Sequence, residues 1–335
     1  MKYIPLISLL FLLATCGQQK KATPEEVRQS FDGFDLEEQI KIKPVDVSQT
    51  PIYKRVEHHP ENYEFLDDVE IFRMAYNSDG LIVTGFVVKP KNVSEDLPVV
   101  IFNRGGNQEY GHLLVAHAVE VFGPLAAEGY IVAGSNYRGN SGSEGKEEFG
   151  GADVADVSNL IDALGNLEGV DNSRVGILGV SRGGMMTYLT VKNETSDRLK
   201  CVATLGGITD LEHTIEYHSE IGEVCKWLVP DFESNRAEAI INRSAVYWAD
   251  KLSPEVPILI LHGTADKSVD YGQIPVFADS LDKHGVPYKF ITYVDDNHGC
   301  VNHKAEVMDN IRKWMNAHLK EDNPHSGAER LVVED

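Results

Sequence analysis

Alternating strand and helix patterns between residues 63 and 320 predict an α/β fold, a mostly parallel central sheet with helices on both faces. Short, near-continuous apolar runs at 98–103, 130–134, 174–180, 200–205, 256–262 and 288–294 read as strands buried on both faces. Stretches of helical character separate them at 112–128, 153–167, 182–191, 273–284 and 304–319. The segment 208–252 breaks this rhythm. It holds Trp227 and Trp248, shows no clear strand, and reads as a helical insertion over the carboxyl edge of the sheet, where α/β proteins bind ligands. Before the first parallel strand, 69–76 and 81–88 flank Asn77-Ser78-Asp79-Gly80, a hairpin signal.

The two ends of the chain read differently. Lys2 precedes an uncharged run at 4–14 that is too short to span a bilayer as a helix, which is the shape of a signal peptide over 1–15. It ends in Leu13-Ala14-Thr15-Cys16-Gly17, which resembles the lipobox of bacterial lipoproteins, with Thr15 where Gly, Ala or Ser is usual. The resemblance implies lipidation of Cys16 and a place in the bacterial cell envelope, anchored to a membrane without crossing it. Residues 16–62 read as a charged tether with a short helix near 24–31, and 321–335 as an acidic tail.

Charge narrows the function. With 31 Lys+Arg against 52 Asp+Glu, the net charge of −21 repels phosphate backbones, and no dense basic stripe offsets it, so no nucleic-acid partner is expected. Apolar residues at 42% and charged residues at 25% exclude wholesale disorder. Four cysteines in 335 residues cannot make a disulfide scaffold. Cys201 reads as packing, and Cys225 with Cys300 as a candidate pair.

The chemistry centres on Gly179-Val180-Ser181-Arg182-Gly183-Gly184, which follows a predicted strand and opens a predicted helix. A nucleophile elbow needs that context. Small residues flank Ser181 because a tight strand-to-helix turn has no room for side chains. A serine hydroxyl needs a base, and the base an orienting acid. Asp266 ends an apolar strand running into Gly263-Thr264-Ala265, and His298 follows the strand at 288–294, so the chain order is Ser, Asp, His. Asp295 and Asp296 are alternatives to Asp266 but sit beside the histidine strand, and His262 reads as structural. The backbone N–H of Arg182 and that of Gly106 or a neighbour, in Arg104-Gly105-Gly106-Asn107, are the candidate oxyanion donors. A rival metal site would use Asp296, His298, Cys300 and His303, a spacing that matches no standard zinc motif. The preferred reading calls for no metal and no cofactor.

Residues 63–319 resemble the catalytic domain of the prolyl oligopeptidase family of serine peptidases, which has the α/β-hydrolase fold. The resemblance lies in Ser78-Asp79-Gly80, Tyr137-Arg138-Gly139-Asn140-Ser141-Gly142, Gly151-Ala152-Asp153-Val154-Ala155-Asp156, the elbow, the Asp266 turn and His298-Gly299. It implies Ser181, Asp266 and His298 as the triad, and a peptide or ester substrate. Residues 1–62 leave no room for the family's β-propeller, and the oxyanion loop carries Arg104 where His-Gly-Gly-Pro is common. Arg104 is therefore a candidate substrate contact. Relatives with the bare domain include carboxylesterases and polysaccharide deacetylases, the alternative reading.

Overall fold

Apolar runs bounded by turn residues become ten strands among the described residues of the computed structural model, which are 22–321, 323 and 325–334. The signal peptide expected at 1–15 and the lipidated Cys16 lie outside them. The described chain divides into two compact units. The first takes residues up to Phe102 with Gln108–Lys146 and Ala155–Ser173; the second takes Asn103–Asn107, Glu147–Val154 and everything from Arg174.

In the first unit, β1 (Ile40–Pro44), β2 (Val69–Ser78), β3 (Leu81–Pro90), β4 (Leu97–Asn103) and β5 (Ile131–Ser135) run in the order β1-β2-β3-β5-β4. All neighbours are antiparallel except β4 and β5. The β2–β3 hairpin closes with Ser78 opposite Leu81, and Asp79 and Gly80 between them take φ of 53° and 81°. Such a turn matches the twist of its strands. Behind it lies a buried charge network. Asp156 accepts from Ser78 Oγ at 2.6 Å, Arg138 N–H at 2.7 Å, Arg138 Nε at 3.0 Å and Arg138 Nη2 at 2.8 Å. Motif residues far apart in sequence thus meet for a structural purpose. The helix expected over 112–128 is interrupted: Pro124 has no N–H to donate, and the turn before it, Ala118–Phe122, widens to a π-helix.

The helix expected near 24–31 is present, but among the described residues 22–62 the tether reading needs correction. Thr23 and Glu26 form a capping box at the start of the helix Pro24–Ser30, and β1 pairs with β2 with Ile40 opposite Tyr76. Val27, Phe31 and Phe34 pack against Ala75 and Ile82. These apolar side chains are sparse in a charged background, so composition hides a stripe that only the neighbouring sheet makes useful. The acidic tail is corrected likewise. Ala328–Val333 forms β10, parallel to β9 (Tyr288–Tyr293), and Arg330 bonds to Tyr288 Oη at 2.6 Å and to Asp279 at 2.8 Å.

The second unit is wholly parallel in its strands: β6 (Val170–Val180), β7 (Leu199–Leu205), β8 (Ile258–Gly263), β9 and β10 follow one another in that order. Side chains of β7 alternate between two helical layers. Cys201 Sγ lies 3.7 Å from Met315 Sδ in the helix Lys304–Leu319. On the other face, Thr204 bonds Tyr188 Oη at 2.8 Å, and the Tyr188 ring packs on Phe277 at 4.9 Å. Between β7 and β8, residues 208–252 hold the helices Leu211–Tyr217, Ser219–Leu228 and Arg236–Arg243.

Candidate active site

All the residues of the site belong to the second unit. Ser181 stands between β6 and the helix Arg182–Asn193 with φ 58° and ψ −125°, a conformation L-residues rarely adopt. Its backbone is held there from several sides. Ser181 N–H donates to the Leu205 carbonyl at 3.0 Å, and its own carbonyl accepts from Gly184 N–H at 2.8 Å and Ile208 N–H at 3.3 Å. The flanking glycines are there for space. A Cβ on Gly183 would come 1.9 Å from the Asn103 carbonyl oxygen, and one on Gly179 would come 2.3 Å from that of Gly183.

Asp266 and His298 are zipped together by their loops. Ala265 N–H donates to the Asp296 carbonyl at 2.9 Å and Asp295 N–H to Thr264 Oγ1 at 2.8 Å. His298 Nδ1 then lies 2.7 Å from Asp266 Oδ2. The other oxygen, Oδ1, accepts from Ser268 N–H at 2.7 Å and Val269 N–H at 2.9 Å. Burial works against charge on Asp266, but the hydrogen bonds from His262 and His298 outweigh it and hold the carboxyl well below the usual range. His298 is 6% exposed, and its ring packs on Gly206, where a Cβ would come 2.8 Å from Nδ1. Gly206 directly follows Leu205, the residue that accepts the Ser181 N–H, so His298 and Ser181 are registered on the same strand end.

Asp295 and Asp296 do not serve His298. The buried Asp296 accepts from the N–H of Asn297 at 2.9 Å and from His303 Nδ1 at 2.9 Å, stapling the loop that carries His298. His298 and His303 thus face different carboxylates, and among the described residues no three His, Cys, Asp or Glu side chains are grouped as a metal site. The candidate pair Cys225–Cys300 is corrected: both are free, buried thiols, and burial pushes Cys225 up to about 12.

The candidate oxyanion loop, Arg104-Gly105-Gly106-Asn107, approaches Ser181 through Gly105. A Cβ there would sit 3.0 Å from Ser181 Cβ and 3.6 Å from Oγ. Gly106, at φ +70°, is next, with its carbonyl accepting from Arg182 Nη1 at 3.0 Å. Arg104 as a substrate contact is corrected. At 1% exposure it has no surface to offer a ligand, and its Nη1 donates to the Gly105 carbonyl at 3.1 Å.

Two contributors escape sequence reasoning. His262 Nε2 lies 3.0 Å from Asp266 Oδ2 and 2.9 Å from the Val269 carbonyl; both are acceptors, so that nitrogen carries the proton. The signal was a histidine four residues before Asp266 across a Gly turn. The second is the Arg182 side chain, paired with Glu147 and Asp153; Asp153 lies in the Gly151–Asp156 motif, but nothing in the sequence joins either acid to Arg182. From the insertion, Tyr217 Oη donates to the Asp266 carbonyl at 3.3 Å and His213 Nε2 lies 2.7 Å from Asp270, fastening it to the loop after β8.

Residues 117–322, more than half of the chain, match the prolyl oligopeptidase family. The chain is 27% identical over 248 residues to the uncharacterized peptidase YtmA of Bacillus subtilis, covering 74% of this chain and 93% of that one. Among solved structures it is similar to Pyrococcus horikoshii acylaminoacyl peptidase, with TM-score 0.64 and 21% identity over 78% of this chain and 44% of that one. It is also similar to an acetyl xylan esterase from Paenibacillus sp. R4, with TM-score 0.60 and 16% identity over 87% of this chain and 92% of that one. It therefore spans less than half of that acylaminoacyl peptidase. At these identities the structural likeness shows the fold alone, which is the α/β-hydrolase fold.

Proposed function

The chain belongs to the prolyl oligopeptidase family, and from that premise we propose that it is a serine peptidase working through an acyl-enzyme on Ser181. The observation that carries the reading is the 2.7 Å bond from His298 Nδ1 to a buried carboxylate, with the His298 ring packed on Gly206 and the strained Ser181 backbone bonded to the adjoining Leu205. With Nδ1 turned to Asp266, Nε2 is the nitrogen that serves as base. It takes the Ser181 proton as Oγ attacks the carbonyl carbon, then gives it to the departing amine. Water repeats the cycle: its proton goes to His298, its oxygen to the acyl carbon, and Ser181 regains its hydrogen. Asp266 stays ionised and keeps the imidazole in one tautomer. The N–H groups of Arg182 and of the Gly105–Gly106 loop receive the oxyanion, where preorganised donors are worth most.

The test compares kcat/KM for blocked dipeptide and prolyl amides with that for short-chain aryl esters, using Ser181→Ala as the blank. Amide turnover above the blank supports the peptidase. Ester turnover with amides at the blank level replaces it by a carboxylesterase or deacetylase.

We also propose that Cys16 carries the lipid anchor and places the enzyme on a membrane of the bacterial envelope, supported by Lys2, the apolar run 4–14 and Leu13-Ala14-Thr15-Cys16. Cells fed labelled palmitate should mark the parent but not Cys16→Ser; equal labelling of both would refute the anchor.

A further inference from the structure

We propose that two buried guanidinium groups, those of Arg104 and Arg182, set the direction of the oxyanion N–H groups by gripping the peptide planes on either side of Gly106. The proposal rests on the reading of Ser181 as nucleophile and deepens it.

The geometry of a trans peptide carries the argument. Its C=O and N–H point in opposite directions in one plane, so holding the oxygen aims the hydrogen. Arg104 Nη1 holds the Gly105 carbonyl at 3.1 Å, which fixes the plane that contains the Gly106 N–H. Arg182 Nη1 holds the Gly106 carbonyl at 3.0 Å, which fixes the plane that contains the Asn107 N–H. The two glycines have no side chains with which to anchor themselves, and Gly105 lies directly against Ser181. Orientation must come from side chains other than those of the two glycines.

Arg182 is itself locked. It is 2% exposed, pairs with the buried Glu147, and reaches Asp153 Oδ2 at 2.5 Å. The Phe149 ring centroid lies 4.7 Å from its Cζ. Asp153 is held in turn by the N–H of Gly150 at 3.0 Å and of Gly151 at 2.8 Å. Arg243 fastens the same segment, donating to the carbonyls of Phe149 at 2.9 Å and Glu148 at 3.1 Å. Burying charges is costly, and an apolar side chain would fill this space more cheaply. What the charges add is direction, because a planar guanidinium presents several donors at fixed angles. Residues 103–107 and 147–154 belong to the same unit as Arg182.

The test uses the full chain, p-nitrophenyl acetate as substrate and a short alkyl trifluoromethyl ketone as probe. The ketone adds Ser181 Oγ to its carbonyl and leaves an oxyanion in the hole. Removing all three charges together, in Arg182→Met/Glu147→Gln/Asp153→Asn, avoids an orphaned buried ion. We expect kcat to fall about 10- to 100-fold, KM to stay within about threefold, and the ketone's inhibition constant to rise by the same factor as kcat falls. A folded variant with kcat within about twofold of the parent, or with the whole loss in KM and unchanged ketone affinity, overturns the proposal. If the triple variant does not fold, Arg182→Lys decides: its point charge cannot span Gly106, Glu147 and Asp153, so a parallel loss in kcat and ketone affinity supports the clamp and unchanged values overturn it. The underlying reading fails separately and earlier. A parent that a fluorophosphonate does not label at Ser181 refutes the nucleophile, and the clamp with it.

Discussion

Each unit buries a carboxylate among hydrogen-bond donors, and the two differ in what those donors can do. In the first unit Asp156 meets Arg138 and Ser78, and Arg138 is always charged, so the network holds a loop and a hairpin in place. In the second, Asp266 meets two histidines and two backbone N–H groups. One of those histidines, His298, sits on a loop whose partner strand end also fixes Ser181. Burial is common to both. A partner that can release and regain a proton belongs only to the second. Ser181 itself takes positive φ with ψ −125°, outside the usual left-handed region.

The sharpest way to break this contrast is Ser181→Ala, which should lower kcat by about 10⁴-fold or more while leaving the unfolding midpoint near the parent's. Near-normal turnover would remove the second unit's claim to chemistry. In the first unit the effect should appear in stability instead. Arg138→Met leaves Asp156 buried without its counter-charge and should cost about 3–5 kcal/mol in urea unfolding, with kcat per folded molecule within about twofold of the parent. A stable variant with poor turnover would reverse the roles assigned to the two networks.

A pH series sharpens the comparison further. The Asp266 carboxyl is lowered in the folded state, so its contribution is complete above the ordinary carboxylate value of about 3.9 and is lost as pH falls through the lowered one. The stability difference between the parent and Asp266→Asn should be flat from about pH 7 to 5 and shrink below about pH 4. A difference that widens toward acid would contradict the sign. His262→Leu should lower kcat about tenfold, and His262→Gln, which keeps a donor near the same place, should recover most of it. Equal loss in both would make His262 a packing residue. The smallest effect concerns the strained backbone: Ser181→Gly should abolish turnover yet raise stability by about 1 kcal/mol, read from thermal unfolding. A destabilised glycine variant would mean that the turn carries no strain.

Legibility in the sequence followed the range of the forces involved. The elbow around Ser181 was readable because strand, turn and helix adjoin in sequence: a Cβ on Gly179 would meet the Gly183 carbonyl of the same turn, whereas the contact of Gly183 with the Asn103 carbonyl needed the fold. The Asp266 and His298 loops were readable because each ends an apolar strand, and parallel strands put their carboxyl ends on one edge. β1 and β10 were not, because Phe31, Phe34 and Leu331-Val332-Val333 are short apolar signals in polar segments. They become strands or core only against a sheet edge supplied by distant residues. Arg104 misled for the same reason, since a charged residue in an active-site loop suggests a ligand and only packing shows it buried behind the loop.

The sequence alone therefore marked Ser181, Asp266 and His298 as the candidates, and gave the alternation that makes a parallel sheet, readings that depend on residue type and near-neighbour spacing. Tertiary structure decided the rest: that His262 shares the oxygen of Asp266 used by His298, that Asp296 staples a loop rather than serving the base, and that Arg182 is gripped by Glu147 and Asp153. A hydrogen bond acts over about 3 Å whatever the separation along the chain, so such partners can be read only once the fold has brought them together.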